Sequence, residues 1–352
     1  MKARLANLLV CPNCRQGLSL EISNQQGETI DAGIFRCARC VTQFPIRHGI
    51  PRFVSSEAYS SSFGFEWKRW RRTQFDTGSR NSSENAFRAS TGVAPETLAG
   101  KLVLDAGCGS GRYMDVVARS GAEVVGVDLS LAVDIAQENL GSLPNCHFVQ
   151  ADLFHLPFPA ETFDVFYSIG VLDFTPNTKQ AFMQLVRELK PSGVAAIWVY
   201  PRQRLTETFR YFPGRVNEVL ALDVNFRIPP RWAGLVRSMA TPLDWIMETS
   251  SRIERAFTTR LPTRWLYWFC HAAIPLYYLY RIPIFFPLRL VTKIAMDPDP
   301  EWRVLDTFDW YSPRYQWKHT YPEVRSWFQE AGLEEVTILP RPVAIRGRKA
   351  PP

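Results

Sequence analysis

No uncharged run in the most apolar part of this 352-residue chain is long enough to cross a bilayer. The longest there, Trp265 to Tyr280, is 16 residues and contains Pro275, whereas a spanning helix needs about 20 apolar residues. No export leader is expected either, because the apolar run within Met1–Val10 is too short before Cys11. The cytoplasm is therefore the expected compartment. Nor does Lys-Ser/Thr follow the glycine-rich turn near residue 110. Arg112-Tyr113 stands there instead, which excludes a phosphate-cradling P-loop. No recognised RNA-binding signature occurs. Lysine is scarce where net positive charge concentrates: residues 201–300 hold 13 Arg and one Lys against eight acids, a net of +6 out of the chain's formal +7.

What is present begins with Lys101-Leu-Val-Leu-Asp-Ala-Gly-Cys-Gly-Ser-Gly-Arg112. It reads as a buried strand, a turn in which Gly107, Gly109 and Gly111 let backbone and ligand come close, and the start of a helix. Val124-Val-Gly-Val-Asp128 follows at the spacing of a second strand ending in a carboxylate, suited to ribose hydroxyls. The two together describe a nucleotide-like ligand across neighbouring strand ends. A dinucleotide fits these two strands, but a third acid, Asp152 in Gln150-Ala-Asp-Leu-Phe154, sits where it can accept from an adenine amino group. Further apolar runs at about 163–169 and 193–199, with helical spacing between, predict a parallel sheet covered on both faces. Asp105, Asp128, Asp152 and Ser168 fall at the carboxyl ends of its strands and are expected to converge on one crevice.

Leu104-Asp-Ala-Gly-Cys-Gly-Ser-Gly111, Gly126-Val-Asp128, Ala151-Asp152-Leu153, Phe163-Asp164 and Leu189-Lys-Pro-Ser-Gly193 stand in order at plausible spacing. In these motifs the chain resembles the class I methyltransferases that use S-adenosylmethionine (SAM), in particular those of ubiquinone and menaquinone biosynthesis. The resemblance covers about 95–200 and a shorter piece near 320–346. It implies an α/β fold with a seven-stranded Rossmann-like sheet whose last strand is antiparallel. It also implies SAM contacts at Asp105, Gly107, Cys108, Gly109, Gly111, Asp128, Leu129, Asp152, Leu153 and Ser168. Where many relatives carry Leu-His-His, this chain has Leu172-Asp173-Phe174. Asp173 is thus the first candidate for a general base, with His319 the second. For each, a purely structural role is an equal alternative.

Four of the seven cysteines form Cys11-Pro-Asn-Cys14 and Cys37-Ala-Arg-Cys40, separated by 22 residues. Two such knuckles in a chain without an export signal suit a tetrahedral zinc site better than disulfides, and four thiolates leave no open position for catalysis. The continuation Phe44–Phe53 resembles the zinc ribbon of the transfer-RNA methyltransferase activator subunit. The expected plan is a ribbon at 1–54, a linker and cap helix at 55–95, a SAM-binding core at 96–200 and an Arg- and aromatic-rich helical insertion at 201–300. The core resumes at 301–346, and 347–352 form a tail.

The insertion leaves the carboxyl end of a strand, so it is expected to rise over the site as a lid or acceptor-binding unit. Its rings and cations suit an internal helical core, a lipid-like acceptor or peripheral contact with the inner membrane surface. Nucleic acid is the least favoured partner. The expected activity is methyl transfer to a small-molecule or lipid-like acceptor. RNA methylation and non-catalytic SAM binding are the alternatives.

Overall fold

The computed structural model describes residues 1–54, 61–78, 81–202, 204–224 and 227–352. Residues 55–60 and 79–80 of the expected linker lie outside the described residues. Seven strands form the central sheet: β5 (Leu102–Ala106), β6 (Glu123–Asp128), β7 (Cys146–Gln150), β8 (Phe163–Ile169), β9 (Leu189–Trp198), β10 (Leu333–Ile338) and β11 (Ala344–Lys349). Their spatial order is β10-β11-β9-β8-β5-β6-β7. Strands β5 to β9 run parallel, and β11 is antiparallel to both β9 and β10. The runs around Val103, Leu104, Val124, Val125 and Val149 are buried, as expected of parallel strands covered on both faces. Strand order reverses between β5 and β8, so the ligand crevice of such a sheet opens beyond their carboxyl ends.

Two details depart from expectation. Leu189-Lys-Pro-Ser-Gly193, whose Pro and Gly would be expected to stop a helix ahead of the strand at 193–199, is instead part of β9. The preceding helix, Thr178–Arg187, has already ended. Pro191 lacks an N–H and Ser192 has φ 61, so this stretch is taken up in a register shift against β8. The expected tail also begins too early, since Gly347 and Arg348 pair with Ala195 and Val194.

The N-terminal module is an antiparallel meander of β1 (Ser19–Gln26), β2 (Thr29–Cys37), β3 (Thr42–Arg47) and β4 (Ile50–Pro51). It is fused to the core. Leu5, Leu9, Phe35 and Ile46 share one buried cluster with Leu153, Phe158 and Phe163. The Arg15 guanidinium donates to Leu156 O, Phe158 O and the carboxylate of Glu188. Phe53 N donates to Gln150 O at 2.8 Å, continuing the pairing of the sheet at β7.

The insertion is helical, as anticipated: Arg204–Tyr211, Val216–Val224, Pro230–Ser238, Ala240–Thr258, Thr263–Cys270, Ala273–Arg281 and a 3₁₀ turn at Pro283–Leu290. Its stems lie side by side, with Arg202 N donating to His319 O and His319 N to Tyr200 O, both at 2.8 Å. A further helix, Pro300–Tyr311, belongs to the same block. Its Val304, Leu305, Phe308 and Tyr311 pack on Leu266 and Cys270, and on Trp70 from the segment before the core. No helix among the described residues is long and apolar enough to cross a membrane.

Candidate active site

The glycine turn is built by backbone. Gly107 N and Cys108 N both donate to Val127 O, and Gly111 N closes the turn on Cys108 O. Gly107 has φ 89, and a Cβ there would stand 2.3 Å from Val171, so no other residue fits without strain. Gly109 lies beneath the Trp67 indole, whose nearest atom would be 3.0 Å from an added Cβ. Trp67 comes from the helix Ser61–Arg69, which therefore caps the turn. Asp128 accepts from Gly109 N at 3.0 Å and from Ser130 N and Oγ at 2.9 and 2.7 Å. Burial raises its pKa against the pull of those bonds.

Gly107, Cys108, Gly109, Asp128, Leu129 and Leu153 line a single cavity of about 480 Å³, and Ser110 and Arg112 continue its wall on either side of Gly111. Asp105, Asp152 and Ser168 do not join them, so the expected convergence of strand-end polar groups holds only for Asp128. The Asp105 carboxylate lies under the turn, where it accepts from Tyr167 Oη at 2.9 Å. Burial pushes its pKa up to about 8. Ser168 Oγ donates to Ala106 O, tying β8 to β5. Asp152 Oδ1 accepts from Phe154 N, stabilising its own loop.

Neither candidate base reaches the cavity. Asp173 is fully buried, with Oδ2 accepting from Tyr200 N at 3.0 Å. Burial drives its pKa well above the carboxylate range. His319 has both ring nitrogens occupied, Nδ1 against Glu323 Oε1 at 2.8 Å and Nε2 against Thr178 Oγ1 at 3.1 Å. Its ring also packs edge-on against Trp327. It fastens the stem of the insertion.

The far wall of the cavity comes from side chains that motif reading did not single out: Trp198 at the end of β9, Tyr200 just after it, and Trp302, Asp306, Asp309 and Trp310 from Pro300–Tyr311. Tyr200 Oη donates to Asp309 Oδ2 at 2.9 Å. Asp306 accepts from Gln74 Nε2 and Trp302 Nε1. Burial raises Asp306 to about 7 and Asp309 to about 6. Behind them Glu66 is 1% exposed. Burial first, then Asp309, Asp306 and Asp128, lift its pKa well above the usual value. This crowding of carboxyls suits a cationic ligand. Arg341 also lines the cavity, its guanidinium 3.5 Å from the centroid of the Trp198 ring. The signal available in sequence was the pair Asp306 and Asp309, one helical turn apart.

In the ribbon, one sulfur from each of Cys11, Cys14, Cys37 and Cys40 lies within 4.8 Å of the others. Arg15 (φ 61) and Val41 (φ 52) each follow the second cysteine of a knuckle in a left-handed conformation that folds the loop around the sulfurs. Bonds of about 2.3 Å to one tetrahedral ion put thiolates at about this separation, so the donor set fits zinc.

A sheet of this strand order, with a glycine turn after its first parallel strand and an acid ending the second, defines a nucleoside-binding domain of the class I methyltransferase type. Residues 104–197 match the family described as "Methyltransferase domain", and this part of the chain is a class I SAM-dependent methyltransferase domain. Sterol 4-C-methyltransferase strm-1 of Caenorhabditis elegans is 38% identical over 94 residues, 26% of this chain and 28% of that protein. Malonyl-[acyl-carrier protein] O-methyltransferase of Salmonella typhimurium is 35% identical over 94 residues, 27% of this chain and 37% of that protein. The chain spans between 28% and 42% of the length of curated relatives of this kind. A solved SAM-dependent methyltransferase from Mesorhizobium loti aligns with a TM-score of 0.32 and 25% identity, covering 36% of this chain and 57% of that one.

Proposed function

We propose that this protein transfers a methyl group from SAM to a small-molecule or lipid-like acceptor. The observation that carries the reading is one cavity with two chemically distinct ends. At one end are the glycine turn and Asp128, and at the other an aromatic wall with the Tyr200–Asp309 pair. The relatives point to the same acceptor class, being named for sterols, malonyl-[acyl-carrier protein] and ubiquinone biosynthesis.

In this reading the backbone at Gly107–Gly109 and the Asp128 carboxylate hold the nucleoside, with Leu129 and Leu153 against its base. The bound cofactor supplies a methyl already activated by sulfonium charge. The acids Asp128, Asp306 and Asp309 complement that charge inside a site of low dielectric. Trp67 closes the cavity over the turn, and Trp198, Trp302 and Trp310 orient an acceptor and exclude water. Asp309, ionised above about pH 6 and held by Tyr200, is placed to take the acceptor's proton. The thiolate cluster holds a structural zinc ion, with all four positions filled by protein.

The test is incubation with methyl-labelled SAM and fractionated small-molecule and lipid extracts. Label should pass into an acceptor as S-adenosylhomocysteine forms, and Asp128→Ala should weaken SAM binding by about tenfold or more on loss of a charge-assisted contact. Undetectable SAM binding by calorimetry would overturn the proposal.

A further inference from the structure

Between residues 240 and 291 no acid is fully exposed. Asp244 is buried, its carboxylate accepting from Leu205 N and Thr206 N. Glu248 is half-buried and bonded to Lys318 and to Arg252, and half-buried Glu254 accepts from Tyr311 Oη. The exposed side chains there are of two other kinds. Trp245, Ile253, Phe257, Trp265, Trp268 and Ile284 are each 60% exposed or more, and Arg252, Arg260, Arg264 and Arg281 are exposed among them. Large apolar groups scattered singly over a surface need no explanation, but a concentration of them does.

Burial within the helices shows why these residues face outward. In Thr263–Cys270 the inner residues Leu266 and Cys270 sit on Val304 and Phe308, leaving Trp265, Trp268 and Phe269 on the other side. In Ala273–Arg281, Tyr277 and Tyr280 pack inward with Ile294 and Met296, leaving Tyr278 and Arg281 outside. In Ala240–Thr258, Asp244, Met247, Ser251 and Thr258 are buried, and Trp245, Arg252, Ile253 and Phe257 are not. The block already has inner cores, so the outer residues are not required to fill them.

We propose that this face docks the protein on an anionic phospholipid bilayer, with the indole and aliphatic groups at headgroup depth and the four arginines against lipid phosphates. Charge complementarity selects this occupant. Cations without exposed acids suit a negative surface, and tryptophan and arginine are both favourable at the interface. No helix here can span the bilayer, so attachment is from one side. The inference stands apart from the proposed chemistry, because it uses no residue of the cavity wall.

The experiment is co-sedimentation of the full chain with vesicles of phosphatidylcholine alone or mixed with phosphatidylglycerol. Binding should appear on the mixed vesicles, weaken as salt rises and bring a blue shift of tryptophan emission. Arg264→Gln with Arg281→Gln should lower the partition constant about twenty-five-fold, at about fivefold for each arginine. Trp265→Ser with Trp268→Ser should weaken binding and reduce the emission shift to what Trp245 contributes, and circular dichroism of these surface variants should match the parent. No binding to the mixed vesicles, equal binding by the Trp265→Ser/Trp268→Ser variant, or a dimer in solution that loses its interface in that variant would each overturn the proposal.

Discussion

The phenol of Tyr200 donates to Asp309 Oδ2 across 109 residues of sequence, joining the end of the parallel sheet to the helix that completes the insertion. If Asp309 takes the acceptor's proton, Asp309→Asn should lower turnover by about 10²-fold or more, well beyond any loss of SAM affinity from removing its charge. Rate should rise in wild-type enzyme as pH passes about 6, and Tyr200→Phe should move that limb upward by removing the bond that favours ionisation. Full activity in Asp309→Asn would exclude it as base.

Gly107 carries both a left-handed φ and a wall of Val171 where a Cβ would go. Gly107→Ala should cost about 1–3 kcal/mol from the backbone conformation, with a further loss from overlap. Adding Val171→Ala should recover the overlap and leave the backbone cost. Urea unfolding of the two variants separates these contributions, and a Gly107→Ala chain as stable as wild type would contradict the geometry.

Stability should depend on pH in the direction opposite to a salt-bridged carboxylate. Asp309, Asp306 and Asp105 hold their protons up to about 6, about 7 and about 8, because burial disfavours their charged forms. Between about pH 4 and those values the folded chain binds more protons than the unfolded chain. The stabilisation is therefore fully present at the acid end and is lost as pH rises through 6 to 8. Thermal midpoints of the ligand-free protein should fall from pH 5 to pH 8. SAM, a cation, should flatten that slope and release protons on binding. A midpoint that rises across this range would refute the assignment.

One zinc ion per chain should be found by elemental analysis. Chelation, or Cys40→Ser, should open β1–β4 to hydrogen exchange while β5 to β9 stay protected, because metal binding supplies much of a small module's folding free energy. Metal-free protein with an unchanged exchange pattern would remove the claim.

The core was legible because its signals are local. A strand, three glycines and the acids that follow are contiguous, and each glycine has a nearby steric reason. Strand ends could be located, yet side-chain direction could not. Asp105 and Ser168 stand at the right ends and spend their polar atoms on Tyr167 and Ala106. Asp173 and His319 occupy suggestive positions in sequence, but the stems of the insertion cover Asp173 through Tyr200 and Trp317, and His319 lies in a stem with its ring held by Thr178 and Glu323. Besides Asp128, the cavity acids Asp306 and Asp309 arrive on Pro300–Tyr311, whose position depends on how residues 201–300 pack.

The outermost strand of the sheet has neighbours along its free margin. The Lys2 ammonium bonds to the carbonyls of Leu143 and Cys146, and Phe53 N–H meets Gln150 O at the other end. An unguarded strand margin is a template on which other chains can add. The cysteine module thus shields a sticky seam. If the four thiolates hold a metal, stripping it should first show as clumping of molecules whose parallel sheet is still intact.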